Sequence, residues 1–149
     1  MIMNTKQTIK FYTAVHSEEN FELPFVGNIM AGFASPAADY QAESININNL
    51  IIRNKEYTFI GRVVGTSMID YGLYDGDLVI IDRSLDPLDR DAVLVFIDGE
   101  FTMKHISVDK DKKIWLVPAN ADFPKIEVSA NADFKIWGVV TWSITKHRR

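Results

Sequence analysis

From Tyr57 onward the hydrophobic positions fall in short runs of β-branched and aromatic residues, separated by clusters of Asp, Gly, Asn and Pro: YTFIGRVV, DLVIID, DAVLVFI, EFTMKHISV, KIWLVPA, KIEVS and FKIWGVVTWSIT. Runs of this length bounded by turn residues read as strands, and their close spacing predicts a compact, mostly antiparallel β domain. Asp98-Gly99, standing between VFI and EFTM, is the strongest short-range signal for a two-residue hairpin turn. The stretch SININNLIIRN, with Ser or Asn available as a cap, predicts one short helix packed beside the sheet. The first forty residues differ: scattered aromatics, two prolines, a run of small residues and no sustained period predict an extended arm that borrows its packing from elsewhere.

The hairpin fixes a register. With Asp98 and Gly99 as the turn, Ile97 faces Glu100, Val95 faces Thr102 and Val93 faces Lys104. Alternation then places Lys104 on one face with Val93, Val95, Thr102 and Ile106, and His105 on the other with Phe101 and Met103. A lysine between apolar walls favours its neutral amine, the form that acts as a base. The plainer alternative is a strand lysine that reaches solvent.

GTSMIDYGLYDGD, Gly65 to Asp77, interrupts two apolar strands with three glycines, three aspartates and one serine. Ser67 has two readings. Its hydroxyl can satisfy an exposed backbone N–H at the start of a short helix. It can equally be a nucleophile, with N–H groups of that turn holding a developing oxyanion, provided a base is near: His105 or Lys104. Asp70, Asp75 and Asp77 suggest a cation site, but turn chemistry with Gly72 and Gly76 accounts for them more simply.

Composition narrows the function classes. A chain of 149 residues, 47% hydrophobic, is long enough for one sizeable core and too short for two. It has no cysteine, which removes disulfides, thiolate metal sites and cysteine nucleophiles. His16, His105 and His147 are far apart and show no ligand spacing, so no metal or cofactor is expected. A net charge of −4 gives no general field for a phosphate backbone, and the basic end KHRR is only a short tail. The apolar runs are too short to span a bilayer and the N-terminus has no export pattern, which predicts a soluble cytoplasmic protein without membrane association. Trp115, Trp137 and Trp142 fall within strand runs and read as core or dimer surface.

GTSMIDYGLYDGDLVIID, DAVLVFIDGEFTMKHI, LVPANADFPKIEVS and FKIWGVVTWSI together resemble the self-cleaving peptidase domain shared by LexA-type repressors and UmuD proteins of the bacterial SOS response. The resemblance runs from about Ala31 to the C-terminus. Its most specific element is Ser67-Met68 with Lys104, with DGD and DGEFT between them. It implies a LexA-type β domain with one or two short helices and an N-terminal arm. It also implies a Ser-Lys dyad with Ser67 as nucleophile and Lys104 as general base, and an oxyanion held by the backbone of Ser67 and Met68.

The same resemblance implies that the arm is the substrate. Ala31-Gly32 in NIMAGFASPAADY supplies the small residue and glycine at which such proteins cut themselves, dividing the chain into an arm, 1–31, and a peptidase and interaction domain, 32–149. Alanine stands where some UmuD proteins have cysteine. The short arm leaves no room for the helix-turn-helix module of LexA-type repressors, so sequence-specific DNA binding is not expected. The UmuD-like branch implies a homodimer, stimulation by RecA filaments on single-stranded DNA, and a role as accessory subunit of an error-prone Y-family, UmuC-like translesion polymerase. The rival from another class is a non-cleaving dimeric module that binds polymerase and RecA. A signal-peptidase type shares Ser-Met and a later lysine but needs a membrane anchor.

Overall fold

The computed structural model describes residues 10–12, 23–25 and 43–148. The chain divides into two units. One holds the strands β1 (Lys10–Tyr12), β4 (Thr58–Arg62), β5 (Leu78–Asp82), β6 (Ala92–Ile97), β7 (Glu100–Val108), β8 (Ile114–Val117), β9 (Ile126–Glu127) and β10 (Phe134–Ile144). The other holds β2 (Leu23–Phe25), β3 (Glu43–Ile45) and the helix α1 (Ile47–Ile51).

In the larger unit the strands form one antiparallel sheet in the order β1-β4-β5-β10-β6-β7-β8-β9. The fold is mostly β, as the run lengths predict. β7 spans the whole of EFTMKHISV, and β10 nearly the whole of FKIWGVVTWSIT. KIEVS yields only the two-residue strand β9, which closes one edge of the sheet. Part of the sequence expected to be an arm also lies in this sheet, since β1 pairs with β4 through Lys10↔Arg62 and Tyr12↔Ile60.

β6 shows why AVLVFI has no polar alternation. Ala92 and Leu94 enter a core cluster with Val63, Met68, Leu73 and Met103, while Val93 and Val95 enter a second with Ile106, Leu116 and Val139. A strand covered on both faces is apolar at every position. Fully burying a valine or leucine side chain contributes about 1.5–3 kcal/mol, so β6 stabilises both clusters at once.

The β6–β7 hairpin turns at Asp98 (φ 48°) and Gly99 (φ 85°). Two successive positive φ values define the turn whose twist matches the flanking strands, and Asn or Asp followed by Gly is its preferred sequence. Asp98 is anchored further: its N–H donates to the Asp133 carbonyl (2.9 Å), and its Oδ1 accepts from the Asp133 N–H (3.1 Å). The resulting register has Ile97 opposite Glu100, Val95 opposite Thr102 and Val93 opposite Lys104.

β10 carries two irregularities, between Ile136 and Gly138 against β6 and between Val140 and Trp142 against β5. The first releases Trp137 from the pairing. Its ring meets Phe59 and Phe101 edge-on and receives the Arg83 guanidinium 4.4 Å from the centroid. Trp115 is tied down by its Nε1–H, which donates to Asp109 Oδ2 (2.9 Å), whereas Trp142 is exposed.

In the smaller unit β2 and β3 pair antiparallel, with Leu23↔Ile45 and Phe25↔Glu43. The expected helix is present but shorter: Glu43–Ile45 is strand, and Asn46 caps α1 by accepting from the Asn49 N–H at 3.2 Å. Asparagine is favoured there because its side-chain oxygen satisfies an N–H that the first turn leaves unpaired. Among the described residues no helix is long and apolar enough to cross a membrane.

Candidate active site

The segment between β4 and β5 is held by its own polar groups. The Asp75 carboxylate accepts from the Gly65 N–H (2.7 Å), and Asp77 Oδ2 accepts from the Tyr74 N–H (2.9 Å). The main chain closes the base of the loop, with Val63 N–H donating to the Asp77 carbonyl and Gly76 N–H to that of Val63, both at 2.8 Å. Inside the loop, Ile69–Tyr71 form a single 3-10 turn that ends on Gly72 at φ 84°, a left-handed conformation that favours glycine. Asp75 and Asp77 therefore do turn work. Among the described residues there is no group of three or more His, Asp or Glu placed to hold a metal ion.

This loop carries Ser67 inward, to 1% exposure, beside Met68, which is equally buried in the first core cluster. The 3-10 turn has Met68 and not Ser67 as its cap residue. The Ser67 hydroxyl meets Lys104, whose Nζ lies 3.0 Å from Ser67 Oγ. The hairpin register supplies the reason: Lys104 leaves β7 on the face of Val93, and only 6% of it is exposed. The solvent-reaching alternative for this lysine is overturned.

Two further acceptors surround the amine, Thr102 Oγ1 and the Met103 carbonyl, each at 3.0 Å. An ammonium can donate to all three acceptors. Burial nonetheless lowers the Lys104 pKa from 10.5 to about 8, because the charged form loses its hydration. On losing one proton, the amine keeps two N–H groups for Thr102 and Met103 and turns a lone pair toward the Ser67 hydroxyl. At pH 7 about a tenth of the molecules then hold the neutral amine.

His105, the other candidate base, is on the opposite face of β7. Its Nδ1 donates to the Arg90 carbonyl (2.7 Å), and its ring meets Tyr71 edge-on at 4.5 Å. The group on the Ser67 hydroxyl is the lysine. Ala31 and Gly32, the expected cleavage residues, lie outside the described residues, as does His16.

The Peptidase S24-like family model matches residues 24–141, a span that includes Ser67 and Lys104. Protein SamA of Salmonella typhimurium is 39% identical over 124 residues, covering 83% of this chain and 85% of SamA. Protein MucA of Escherichia coli is 37% identical over 127 residues, covering 84% and 86% respectively. The LexA repressor of Xylella fastidiosa is 35% identical over 126 residues, which are 85% of this chain but 59% of that repressor. The chain belongs to the Peptidase S24-like family, as a UmuD-like member of the LexA/UmuD group.

In this S24-like domain the Ser67 loop is also fastened from outside. The segment after β8, residues 118–123, contributes two bonds: the Ala119 carbonyl accepts from the Asp70 N–H (2.8 Å), and Asn120 Nδ2 donates to the Thr66 carbonyl (2.9 Å). These residues carry no sequence signal beyond the tendency of asparagine to form its own local turn. Thr102 is visible in the sequence as a neighbour of Lys104 on the strand face, but its contact with the amine is a matter of side-chain reach.

Proposed function

We propose that this protein is a self-cleaving serine peptidase in which Ser67 is the nucleophile and Lys104 the general base. The observation that carries the reading is the buried contact of 3.0 Å between Lys104 Nζ and Ser67 Oγ, on a lysine whose pKa burial lowers to about 8. A serine hydroxyl is a weak nucleophile until a neighbouring base takes its proton, and a neutral amine at hydrogen-bond distance meets that need.

In the first step Lys104 takes the proton from Ser67 Oγ as the oxygen bonds to the Ala31 carbonyl carbon. Backbone N–H groups of Ser67 and Met68 receive the oxyanion. The ammonium then returns its proton to the Gly32 nitrogen as the carbon–nitrogen bond breaks, leaving residues 1–31 as an ester on Ser67. Lys104 next takes a proton from a water molecule whose oxygen bonds to the ester carbon, and passes it to Ser67 Oγ as the carbon–oxygen bond breaks, so that Ala31 leaves as a carboxylic acid that ionises. Each chain needs only one turnover, in its own arm or in that of a second copy.

Kinship with MucA, ImpA and SamA supports placing this cleavage in SOS mutagenesis. In that setting a cytoplasmic homodimer is cut on meeting a RecA filament on single-stranded DNA, and residues 32–149 become the accessory subunit of an error-prone translesion polymerase. The test is the mass of the wild-type chain beside Ser67→Ala and Lys104→Ala, after incubation at pH 10 and separately with RecA, ATP and single-stranded DNA. A wild-type product starting at Gly32 and absent from both variants is the expected result. Intact chains throughout, in folded samples, overturn the peptidase reading and leave a binding subunit.

A further inference from the structure

Two bonds at the start of the Ser67 loop converge on one peptide unit. The Thr66 carbonyl accepts from Ile69 N–H within its own turn (3.2 Å) and from Asn120 Nδ2 across the structure (2.9 Å). That carbonyl belongs to the peptide group whose N–H is contributed by Ser67. A peptide unit is planar and trans, so its C=O and N–H point in opposite directions. Whatever fixes the Thr66 oxygen fixes the direction of the Ser67 N–H.

Asn120 is itself immobilised for this task. Its Oδ1 accepts from the Asp122 N–H (3.0 Å), and its carbonyl accepts from the Phe123 N–H (3.1 Å). With Oδ1 engaged in its own turn, the amide can only present Nδ2 to Thr66. The task needs an acceptor and a donor on one short side chain, a combination that aspartate and alanine lack. One residue earlier, the Ala119 carbonyl takes the Asp70 N–H (2.8 Å), so Thr66 before the Ile69–Tyr71 turn and Asp70 within it are both fastened to the same segment.

We infer that Asn120 is a positioning residue for the self-cleavage reaction: it locks the Thr66–Ser67 peptide plane so that the Ser67 N–H is aimed, before any substrate arrives, at the place where the oxyanion forms. The inference rests on the peptidase reading above and adds to it a residue that touches neither the nucleophile's hydroxyl nor the base. Preorganised donors are effective because they need no reorganisation as charge develops. A misaimed donor loses that advantage although Ser67 Oγ and Lys104 Nζ stay in contact.

Asn120→Asp keeps the acceptor that holds the local turn and replaces the donor by an oxygen facing the Thr66 carbonyl. Two measurements decide the matter. The first is the rate of self-cleavage from pH 7 to 10. The plateau is expected to fall about ten-fold or more, short of the 10²–10³ that follows outright loss of an oxyanion donor. The pH midpoint should stay where Lys104 sets it, and the melting temperature should stay close to wild type. The second is the Ser67 amide resonance in a ¹⁵N spectrum of the full chain carrying Ser67 intact, which should shift or broaden while strand amides of β6 and β7 hold their positions. Asn120→Ala gives the same two readouts if the aspartate variant does not fold. A wild-type plateau, or an unmoved Ser67 amide, overturns the lock. If wild type itself does not cut, the peptidase reading falls, and the amide resonance still decides whether Asn120 holds the peptide plane.

Discussion

Val93 of β6 stands directly opposite Lys104 of β7, and Val93 is completely buried. The lysine stem therefore starts against buried apolar surface, and burial is what lowers the pKa of its amine. Val93→Ala should let water approach. The midpoint of the pH–rate profile is expected to move up from about 8 toward 10.5, so that cleavage at pH 7 falls several-fold while the rate above pH 10 stays near wild type. Stability should drop by about 2 kcal/mol from the lost methyl groups. A lower plateau with an unmoved midpoint would show that Val93 serves packing alone.

For the wild-type chain without RecA, the same pKa sets the shape of the profile. With Lys104 as the base, only its neutral amine can accept a proton, so the rate should rise about ten-fold per pH unit below pH 8 and flatten above it. A rate that stays level from pH 7 to 10 in folded protein removes Lys104 as the base.

Lys104 also makes stability depend on pH. Its folded pKa, about 8, lies below the 10.5 of the unfolded chain, so between those values the unfolded state binds more protons and stability rises with pH. Below pH 8 the buried ammonium is a standing cost of about 3 kcal/mol, and above 10.5 that cost is gone. Lys104→Met should abolish cleavage and remove this dependence. The unfolding free energy of wild type minus that of Lys104→Met should increase by about 3 kcal/mol from pH 7 to pH 11, since the other titrating groups are common to both. Urea denaturation at the two pH values measures it, and a constant difference contradicts a desolvated lysine.

Much of this site was legible because one turn determines it. Asp98-Gly99 sets a register, the register sets a face, and the face buries Lys104, so a dipeptide decides the surroundings of an amine six residues from it. The strand runs were legible for the same reason, each bounded by residues that turns require. What periodicity does not carry is reach between loops. Nothing in the order of residues says that Asn120 meets Thr66, or that Thr102 aims its hydroxyl along its own strand at Lys104 rather than across it. The short strands β1, β2 and β3 are not legible because three residues are too few to show a period, and pairing with another strand decides their conformation. The likeness to LexA and UmuD proteins supplied the pairing of Ser67 with Lys104, where the spacing of residues alone left His105 open.

Asp77 looks in sequence like part of an acidic cluster, yet it is 3% exposed and satisfies the Tyr74 N–H with its Oδ2. Asp77→Ala leaves that N–H without its partner and should cost about 1–3 kcal/mol. The loss should be the same in EDTA as in millimolar Mg²⁺ or Ca²⁺, because the carboxylate is engaged with the backbone. Thermal melts in the two buffers check this, and a cation-dependent melting temperature in wild type that vanishes in the variant would show that the loop binds a metal after all.

Gly138 lies in β10 between β5 and β6, where a Cβ would come 2.6 Å from Ile81 Cγ2 and 3.3 Å from the Asp82 carbonyl oxygen. The first distance forces a shift of a side chain that is itself 1% exposed and packed in the first core cluster. Overpacking of this kind costs about 1–3 kcal/mol. Gly138→Ala should therefore lower the melting temperature by about 3–10 °C for a chain of this size. The contact is specific enough to be tested by a double-mutant cycle with Ile81→Ala, which removes the Cγ2 atom. In that background the added methyl enters the space left by isoleucine, and Gly138→Ala should cost at least about 1 kcal/mol less than it does alone. The remaining cost comes from the Asp82 carbonyl, which Ile81→Ala does not move. Strictly additive effects would mean that glycine is required here by the backbone of the irregular pairing and not by the side chain across from it.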